Sequence, residues 1–348
     1  MFFAGKKVLG IDVGASSIKM AELNVGRKGT VMSSFASIPT PADAVQNGEI
    51  VNPEAIAHCI VSLVEELGTK RTKGAIGMSG AGVIVKKITM PRMEAGLIGE
   101  QLHWEAEQYI PYDVNEVNLS YELLEGSNSA DSMDVLLIAA VQESVFRYAE
   151  AVELAGIECY LVDVNGFALA NAFEANYGVI GGEVVTLMNI GASATNFVVV
   201  ENGEVVFCRD IPVGGNTYTN EVQRGLGISR EEAEGMKISA CTGLEVPPEV
   251  ISIVQNTHDL VVDEINSSVD FFLNTSNAST INRGFVTGGC TRVPGLVEQL
   301  SKIVAFERMN PLLRVRCDEK TMSRDYADQI RDFASVVVGL GIRQVGDS

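Results

Sequence analysis

Short apolar runs separated by glycine turns open the chain and predict a β-meander. The runs are rich in β-branched side chains, and Gly14 and the turn N-V-G-R-K-G interrupt them. Pro53 then starts a segment whose apolar residues recur at helical spacing. The elements predicted here are strands at residues 6–13, 18–24 and 31–38, a helix from Pro53 to Gly68, and strands near 74–78 and 83–89.

The pattern changes after Pro91, where an amphipathic helix predicts an inserted subdomain. Its inward face is expected to hold Leu97, Ile98, Leu102, Ala106 and Tyr109, and Trp104 is expected in the core or at a subdomain interface. The predicted organisation is a first lobe at residues 1–90, the inserted subdomain at 91–157, and a last part at 158–348 that holds a connecting helix, the second lobe and a return to the first lobe.

The second half of the chain repeats the opening pattern about 177 positions later. Strands at 184–190 and 195–200 flank a glycine turn, and an Asn-Gly turn at Asn202 and Gly203 leads into a strand at 204–211. Helices are expected at 214–225, 229–240 and 247–274, then a strand-turn-helix at R-G-F-V-T-G-G-C and a last apolar helix. One repeat at this distance favours two related lobes whose turns face each other across a cleft, because solenoid periods are roughly 20–50 residues.

The composition limits the classes of binding partner that the chain can have. The 348 residues are 46% hydrophobic and carry a formal charge of −19, which argues against nucleic acid and against direct adsorption to an anionic membrane, and favours a basic protein segment. Neither a membrane-spanning run nor a signal-peptide pattern is present, so we expect a cytoplasmic protein. The six cysteines form no C-x-x-C pair, and the three histidines lie in separate predicted helices, where we expect surface positions; neither set has metal-site spacing.

The first glycine turn has the composition of an anion site. Gly14, Ala15, Ser16 and Ser17 combine a permissive backbone with small side chains and hydroxyl donors, so several N–H groups can meet one phosphate. Lys19 is a candidate second contact to that anion, and Asp12 is a candidate magnesium ligand acting through water. An ordinary hairpin with Asp12 and Lys19 solvated is the alternative.

The second turn repeats the tripeptide as Gly191, Ala192 and Ser193, which favours a two-sided polyphosphate clamp. Further candidates for cofactor binding lie in the elements that follow. They are Gly214 and Gly215 at the start of the next helix, Glu234 and Lys237 on one helix face as a ribose contact, and Gly288 with Gly289 in a third turn. For Glu234 and Lys237, an exposed helix salt bridge is the alternative.

The order of these motifs resembles the actin-like ATPase superfamily, which includes actin, sugar kinases, DnaK-type chaperones and the cell-division protein FtsA. G-I-D-V-G at 10–14 and N-I-G-A-S at 189–193 match the two phosphate loops, and Gly288 with Gly289 matches the adenosine loop. Within the superfamily the whole chain resembles the PilM family, most specifically at 13–23, 104–112 and 116–121.

This resemblance implies an α/β actin-like fold with two related lobes and an inserted subdomain. It also implies that ATP and Mg²⁺ bind between the lobes, and that the protein grips the N-terminal cytoplasmic tail of PilN. Pilus motor ATPases and a second copy of the chain are further partners that it allows. FtsA ends in an amphipathic membrane helix, whereas this chain ends in R-Q-V-G-D-S, so we expect membrane association through protein partners.

One departure concerns catalysis. Asn189 stands where hydrolytic relatives usually carry aspartate, and Asn165 falls where several carry an acid. With Asp12 and Asn189 as the catalytic candidates, the hypothesis is slow ATP turnover, because a carboxamide cannot accept a proton from water. Two other functions stay open: a small-molecule kinase of the actin-like fold, and an FtsA-like filament.

Overall fold

The computed structural model describes residues 8–124, 131–276 and 278–344. In chain order, the strands are β1 (Leu9–Val13), β2 (Ser17–Gly26), β3 (Gly29–Pro39), β4 (Val45–Gln46), β5 (Glu49–Ile50), β6 (Lys73–Met78), β7 (Val83–Pro91), β8 (Val117–Leu124), β9 (Ser132–Val141), β10 (Glu158–Val164), β11 (Val184–Ile190), β12 (Thr195–Glu201), β13 (Glu204–Ile211), β14 (Arg283–Thr287), β15 (Phe306–Arg308) and β16 (Arg316–Cys317). The helices are α1 (Pro53–Leu67), α2 (Ala95–Ala106), α3 (Gln142–Leu154), α4 (Asn165–Tyr177), α5 (Gly215–Leu226), α6 (Arg230–Cys241), α7 (Pro248–Thr275), α8 (Leu296–Leu300), α9 (Arg324–Ile330) and α10 (Ser335–Gly341).

Two sheets with the same central pattern confirm the predicted repeat. In the first lobe the strand order of the described residues is β10-β6-β1-β2-β3-β16, with β1 antiparallel to β2 and parallel to β6. In the second lobe the order is β13-β12-β11-β14-β15, with β11 antiparallel to β12 and parallel to β14. Positive φ angles at Asn202 (53°) and Gly203 (90°) confirm the Asn-Gly turn that leads into β13.

Helices cover each sheet and build a core over it. A further apolar core lies between the lobes, with side chains from both sheets, α4 and α10. Ile56, Ile60 and Leu63 on α1 pack with Tyr148 and Val152 on α3 over the first sheet. The long α7 buries an apolar stripe over the second sheet, at Val250, Val254, Val261, Ile265, Val269 and Phe272. No described helix is both long and apolar enough to cross a membrane.

Three glycines allow a close stack between the lobes. A Cβ on Gly10 of β1 would lie 2.4 Å from the carbonyl oxygen of Val337 on α10. A Cβ on Gly339 of α10 would lie 1.7 Å from the carbonyl oxygen of Ala168 on α4, and one on Gly166 of α4 would lie 2.3 Å from Cys208 Sγ on β13. The order β1, α10, α4, β13 therefore joins the two sheets through close contacts at these glycines, beside an apolar core to which both sheets, α4 and α10 contribute side chains.

The inserted subdomain is a three-stranded antiparallel sheet, β7-β9-β8, packed against α2. Because β7 pairs with β9 along its length, this sheet begins at Val83, ahead of the boundary predicted at residue 91. Helix α3, which the prediction included in the subdomain, packs instead on α1 and the first sheet. Glycines 80 and 82 and Val141 thus mark the two chain crossings into the subdomain.

The predicted inward face of α2 is partly wrong. Ile98, Leu102 and Ala106 are buried, but Leu97 is 53% exposed and Trp104 is 68% exposed. The buried residues are four apart and form one narrow stripe, whereas positions 97 and 104 are seven apart and share the neighbouring, outward stripe. Trp104 is therefore a surface residue and not part of the core.

The structure also corrects the predicted surface position of His258, because this residue is only 3% exposed. Its Nδ1 lies 2.9 Å from Tyr218 Oη and its Nε2 lies 3.0 Å from the Pro294 carbonyl oxygen. Burial lowers the pKa of His258, so the neutral ring joins α5, α7 and the chain before α8. Its predicted surface position was wrong because a helical pattern does not show which polar residues find buried partners.

The glycine stack generates a stability prediction. Gly339→Ala places a methyl group in the contact with Ala168 and should lower the free energy of unfolding by about 1–3 kcal/mol or more. Gly99→Ala on α2, where a Cβ meets nothing within 4 Å, is the matched control and should be neutral or stabilising. Urea unfolding of both variants measures the difference, and equal stabilities would contradict the close stack.

Candidate functional site

The turn between β1 and β2 presents unused backbone donors. Gly14 N donates to the Ser17 carbonyl oxygen at 3.1 Å, and Thr40 N donates to the Ser16 carbonyl oxygen at 3.1 Å. Thr40 Oγ1 also donates to the Gly14 carbonyl oxygen at 2.6 Å, so the turn is fixed from behind. Within the described residues the amides of Ala15 and Ser16 have no protein acceptor. A fixed turn with free amides is an anion-binding geometry.

Asp12 and Lys19 form a buried ion pair beneath this turn. They are cross-strand partners in the β1–β2 ladder, and Lys19 Nζ lies 2.9 Å from Asp12 Oδ2. Their exposed fractions are only 6% and 9%, so the alternative of two solvated side chains is wrong. Lys19 Nζ is 3.6 Å from the position of a Cβ on Gly14, which places the ammonium directly under the turn.

The second lobe repeats this geometry with amides in place of charges. Gly191 N donates to the Ala194 carbonyl oxygen at 3.0 Å, as Gly14 does to Ser17, and Ala192 and Ser193 have amides without protein acceptors among the described residues. Asn189 and Asn196 are cross-strand partners. Asn189 Nδ2 donates to Asn196 Oδ1 at 2.8 Å, seven residues along the chain, the same separation as Asp12 and Lys19.

Asp210 extends the amide pair across to the first lobe. Asn196 Nδ2 donates to Asp210 Oδ1 at 2.7 Å, and Gly80 N, in the first lobe, donates to Asp210 Oδ2 at 2.6 Å. Burial raises the pKa of Asp210, while the hydrogen bonds from Gly80 and Asn196 oppose that rise. Sequence reasoning missed both Asn196 and Asp210. The seven-residue spacing was an available signal for Asn196, but only the β12–β13 register identifies Asp210.

The start of α5 packs directly on the second turn. Gly215 N donates to the Gly191 carbonyl oxygen at 2.9 Å, and Asn216 N donates to that of Ala192 at 2.7 Å. A Cβ on Gly214 would lie 2.5 Å from the Gly191 carbonyl oxygen, so this contact requires glycine. The structure therefore brings Gly214 and Gly215 together with the second turn.

The Glu234–Lys237 pair lies beside the same helix start. Lys237 Nζ is 2.7 Å from Glu234 Oε2, 3.0 Å from Thr219 Oγ1 and 3.3 Å from the Gly215 carbonyl oxygen. Burial alone would raise the pKa of Glu234, but hydrogen bonds from Lys237 and Thr219 bring it below its ordinary value. Because Lys237 is only 8% exposed, this is not an ordinary exposed helix salt bridge.

The third turn packs on the end of β11. Gly288 has φ +98°, and a Cβ there would lie 2.3 Å from the Ile190 carbonyl oxygen, immediately before the second turn. Gly288 N donates to the Asp332 carbonyl oxygen at 2.6 Å. A Cβ on Gly289 would meet nothing within 4 Å, so this residue borders open space. The three glycine elements of the second lobe thus converge.

A buried acceptor at the first lobe lacks a donor. Asn165, the first residue of α4, is 7% exposed, and its Oδ1 has no hydrogen-bond partner. This oxygen lies 2.0 Å from the position of a Cβ on Gly77, and Gly77 is the β6 partner of Asp12. Buried polar atoms are normally paired with protein or water, so this oxygen fits a ligand-bound or metal-bound water next to Asp12.

A separate groove lies between the inserted subdomain and the rest of the molecule. Its cavity of about 490 Å³ is lined by β8, β9, β10, α4 and the start of β13, and includes Glu122, Asp163, Phe167, Glu174, Val205 and Arg343. Burial and the nearby Glu204 raise the pKa of Glu122. Burial also raises the pKa of Asp163, which Arg343 at 3.5 Å opposes. The lining of the groove is thus about equally polar and apolar, with an excess of carboxylates.

No group of three or more histidine, cysteine or acidic side chains in the described residues has metal-binding geometry. All six cysteines are free and at least partly buried. Burial raises the pKa of Cys290 to about 12, so that thiol stays protonated beside the third turn.

Comparison with known proteins relates this geometry to other molecules. The sequence matches the family of the type IV pilus assembly protein PilM over residues 10–345. The cell division protein FtsA of Bacillus subtilis (strain 168) is 23% identical over 343 residues, which span 82% of this chain and 74% of that protein.

Solved structures agree with the sequence match. A chain of the PilM-PilN type IV pilus biogenesis complex superposes with a TM-score of 0.87 at 26% identity, covering 98% of this chain and 99% of that chain. MreB 5 of Spiroplasma citri bound to AMPPNP superposes with a TM-score of 0.53 at 10% identity, covering 96% of this chain and 94% of that chain; this match concerns the fold alone. The predicted actin-like fold is therefore confirmed.

The buried ion pair generates the prediction for this site. Lys19→Met leaves Asp12 without its partner and should lower the free energy of unfolding by about 3–5 kcal/mol, whereas the double variant Asp12→Asn, Lys19→Met should lose less. Arg324→Met, which removes one member of an exposed pair with Glu319, is the control and should change stability by less than about 1 kcal/mol. Urea unfolding measures all three, and additive losses in the double variant would exclude coupling between Asp12 and Lys19.

Proposed function

Because this chain belongs to the PilM family of type IV pilus assembly proteins, we propose that it is an ATP-binding scaffold that grips the N-terminal cytoplasmic tail of a PilN-type membrane protein. The full-length structural agreement with a chain from a PilM-PilN complex is the observation that carries this proposal. In it, the nucleotide joins the two lobes, and the groove beside the inserted subdomain holds the tail. Membrane association then runs through the tail.

The two turns are the proposed phosphate contacts. Ala15 and Ser16 on one lobe and Ala192 and Ser193 on the other offer free amides. The Lys19 ammonium, paired with Asp12, lies under the first turn. Glu234 and Lys237 would hydrogen-bond to the ribose, and Gly288 and Gly289 would pack against the nucleoside. A neighbour of the same fold, MreB 5, was solved with AMPPNP bound, which supports a nucleotide in this arrangement.

Asp12 is the proposed magnesium contact, through water. The buried Asn165 oxygen lies on the same side of β1, at Gly77, and Asn189 adds a carboxamide from the second lobe. A bound magnesium ion would neutralise phosphate charge. Magnesium prefers oxygen ligands and keeps several of its waters, which fits a contact to Asp12 through water. The residues present fit this group as ligands of an intact metal–nucleotide complex.

Slow turnover follows from the side chains near the phosphates. Asn165, Asn189 and Asn196 are all carboxamides, which cannot take a proton from water at neutral pH. Asn189 Nδ2 already donates one N–H to Asn196, so its oxygen and its second N–H are left to orient a water. The nucleotide in this proposal acts as a clamp between lobes more than as a substrate.

The turnover prediction concerns Asn189. Asn189→Asp introduces a carboxylate and should raise phosphate release from ATP at least about tenfold, since a positioned general base contributes roughly 10²–10⁴. Asn256→Asp, at an exposed position on α7, is the matched control and should leave the rate unchanged. ATP affinity measured by calorimetry separates a change in turnover from a change in binding. Unchanged turnover with intact binding would count against a rate limited by the missing acid.

The groove has the chemistry of a site for a basic, partly apolar tail. Strands β8 and β10 are the outer strands of their sheets among the described residues, so an extended peptide can add its backbone to either of them. Tyr121 and Leu123 on β8 are 36% and 42% exposed. Carboxylates at Glu122, Asp163 and Glu174 outnumber Arg343, and cytoplasmic segments next to membrane spans carry excess Lys and Arg.

Calorimetric titration of a synthetic PilN-type N-terminal peptide tests the partner. We expect binding that weakens by about 10–150-fold in Glu122→Gln, because a charge-assisted hydrogen bond contributes about 1.5–3 kcal/mol. Glu319→Gln, at a side chain that is 79% exposed, is the control and should bind as the wild type does.

A peptide with its basic residues replaced by glutamine should bind wild type and Glu122→Gln equally weakly. Absence of peptide binding together with brisk ATP consumption would instead favour an enzyme, and a phosphotransfer screen would then test the kinase alternative. Nucleotide-dependent pelleting tests filament formation in the same preparation.

A further inference from the structure

Asp210 occupies a position that the proposed scaffold function does not use. It stands on β13, outside both glycine turns, and yet it contacts both lobes. On one side it accepts from Asn196, which in turn accepts from Asn189 next to the second turn. On the other side it accepts from the amide of Gly80. The three hydrogen bonds measure 2.8, 2.7 and 2.6 Å and form one continuous chain.

The Gly80 end of this chain is the first crossing into the inserted subdomain. Val83, the first residue of β7, donates its N–H to the Gly80 carbonyl oxygen at 3.2 Å, and Val141, the last residue of β9, donates to the Gly82 carbonyl oxygen at 2.9 Å. Both crossings are therefore joined to the segment that Asp210 holds. A Cβ on Gly80 would lie 2.6 Å from the Asn47 carbonyl oxygen, so the segment is also packed tightly from behind.

Strand β13 reaches the groove as well. Val205 and the preceding Gly203 line the cavity at one end of the strand, and Asp210 lies near the other end. In between, Cys208 belongs to the core against which Val85 of β7 packs. A displacement of β13 relative to the first lobe would thus move one wall of the groove and, through Gly80, the subdomain that forms another wall.

We propose that Asp210 is a positioning residue that couples nucleotide occupancy at the second turn to the shape of the tail-binding groove. This inference rests on the proposed function, because it concerns how the same two sites communicate. A nucleotide that contacts Asn189 reorients the Asn189–Asn196 pair, and this changes the hydrogen bond that Gly80 N–H donates to Asp210. The carboxylate suits this role, since one oxygen accepts from each lobe.

The test compares tail affinity with and without ATP and magnesium. Coupled sites typically change each other's affinity by about 5–150-fold, and we expect ATP to tighten peptide binding by a factor in this range in the wild type. Asp210→Asn offers one acceptor oxygen to two donors and should reduce that factor to within about twofold. Asp270→Asn, an exposed position on α7, is the control and should retain the wild-type factor.

A swapped pair separates positioning from simple damage. In the double variant Asn196→Asp, Asp210→Asn, the carboxylate on β12 accepts from Asn189 and from the new amide on β13, whose oxygen accepts from Gly80. The chain of donors is then complete again, and the ATP effect on peptide affinity should return. A structural role alone would give a double variant no better than Asp210→Asn. Thermal unfolding verifies that each variant is folded before titration.

Hydrogen exchange measured in the absence of the peptide supplies a second readout. ATP should alter exchange of the amides at Gly80 and in β7 and β9 of the wild type, and Asp210→Asn should abolish that change. Failure of the wild type to bind peptide at all would reject the proposed function, whereas exchange would still test the coupling. Peptide binding that is indifferent to ATP, or an ATP effect that persists in Asp210→Asn, would overturn the role of Asp210.

Discussion

The glycine contacts at the centre of the molecule set the geometry on which the rest depends. Gly10, Gly339 and Gly166 let β1, α10, α4 and β13 approach backbone to backbone or backbone to side chain. A methyl group at any of these contacts would overlap a neighbouring atom, and packed interiors accommodate such volume poorly. The glycines, together with the shared core between the lobes, therefore set the separation of the two sheets, and with it the distance between the turns at the ends of β1 and β11.

The repeated hairpin holds a charged pair of side chains in one lobe and an amide pair in the other. Asp12 and Lys19 in one lobe, and Asn189 and Asn196 in the other, occupy the same cross-strand register. The charged pair cancels its own charge and is expensive to separate once it is buried. The amide pair is neutral and can pass a hydrogen bond onward, as it does to Asp210. One lobe thus holds a buried ion pair, and the other holds a chain of hydrogen bonds that reaches the first lobe.

Sequence patterns predicted the repeated sheets because β alternation, glycine turns and helical spacing are local properties. The helix starting at Pro53, the Asn-Gly turn at 202–203 and the long α7 were recovered within a residue or two. Exposure of Trp104 and burial of His258 were not, because each depends on which neighbours arrive from distant parts of the chain. Asp210 had no sequence signal at all, since its contacts come from strand register and from a glycine 130 residues away.

A nucleotide bound at the proposed site explains why carboxamides suffice near the phosphates of a scaffold. A ligand that binds only the closed arrangement stabilises it by RT ln(1 + [L]/Kd), about 4 kcal/mol at a thousandfold excess over Kd. That stabilisation lasts only while the ligand stays intact, so a general base at position 189 would shorten the clamp's lifetime without strengthening it. Asn189 keeps the hydrogen bond to Asn196 and omits the base. In the proposed scaffold, the same residue that would slow turnover therefore also preserves the hydrogen bond through which the second lobe reaches Gly80.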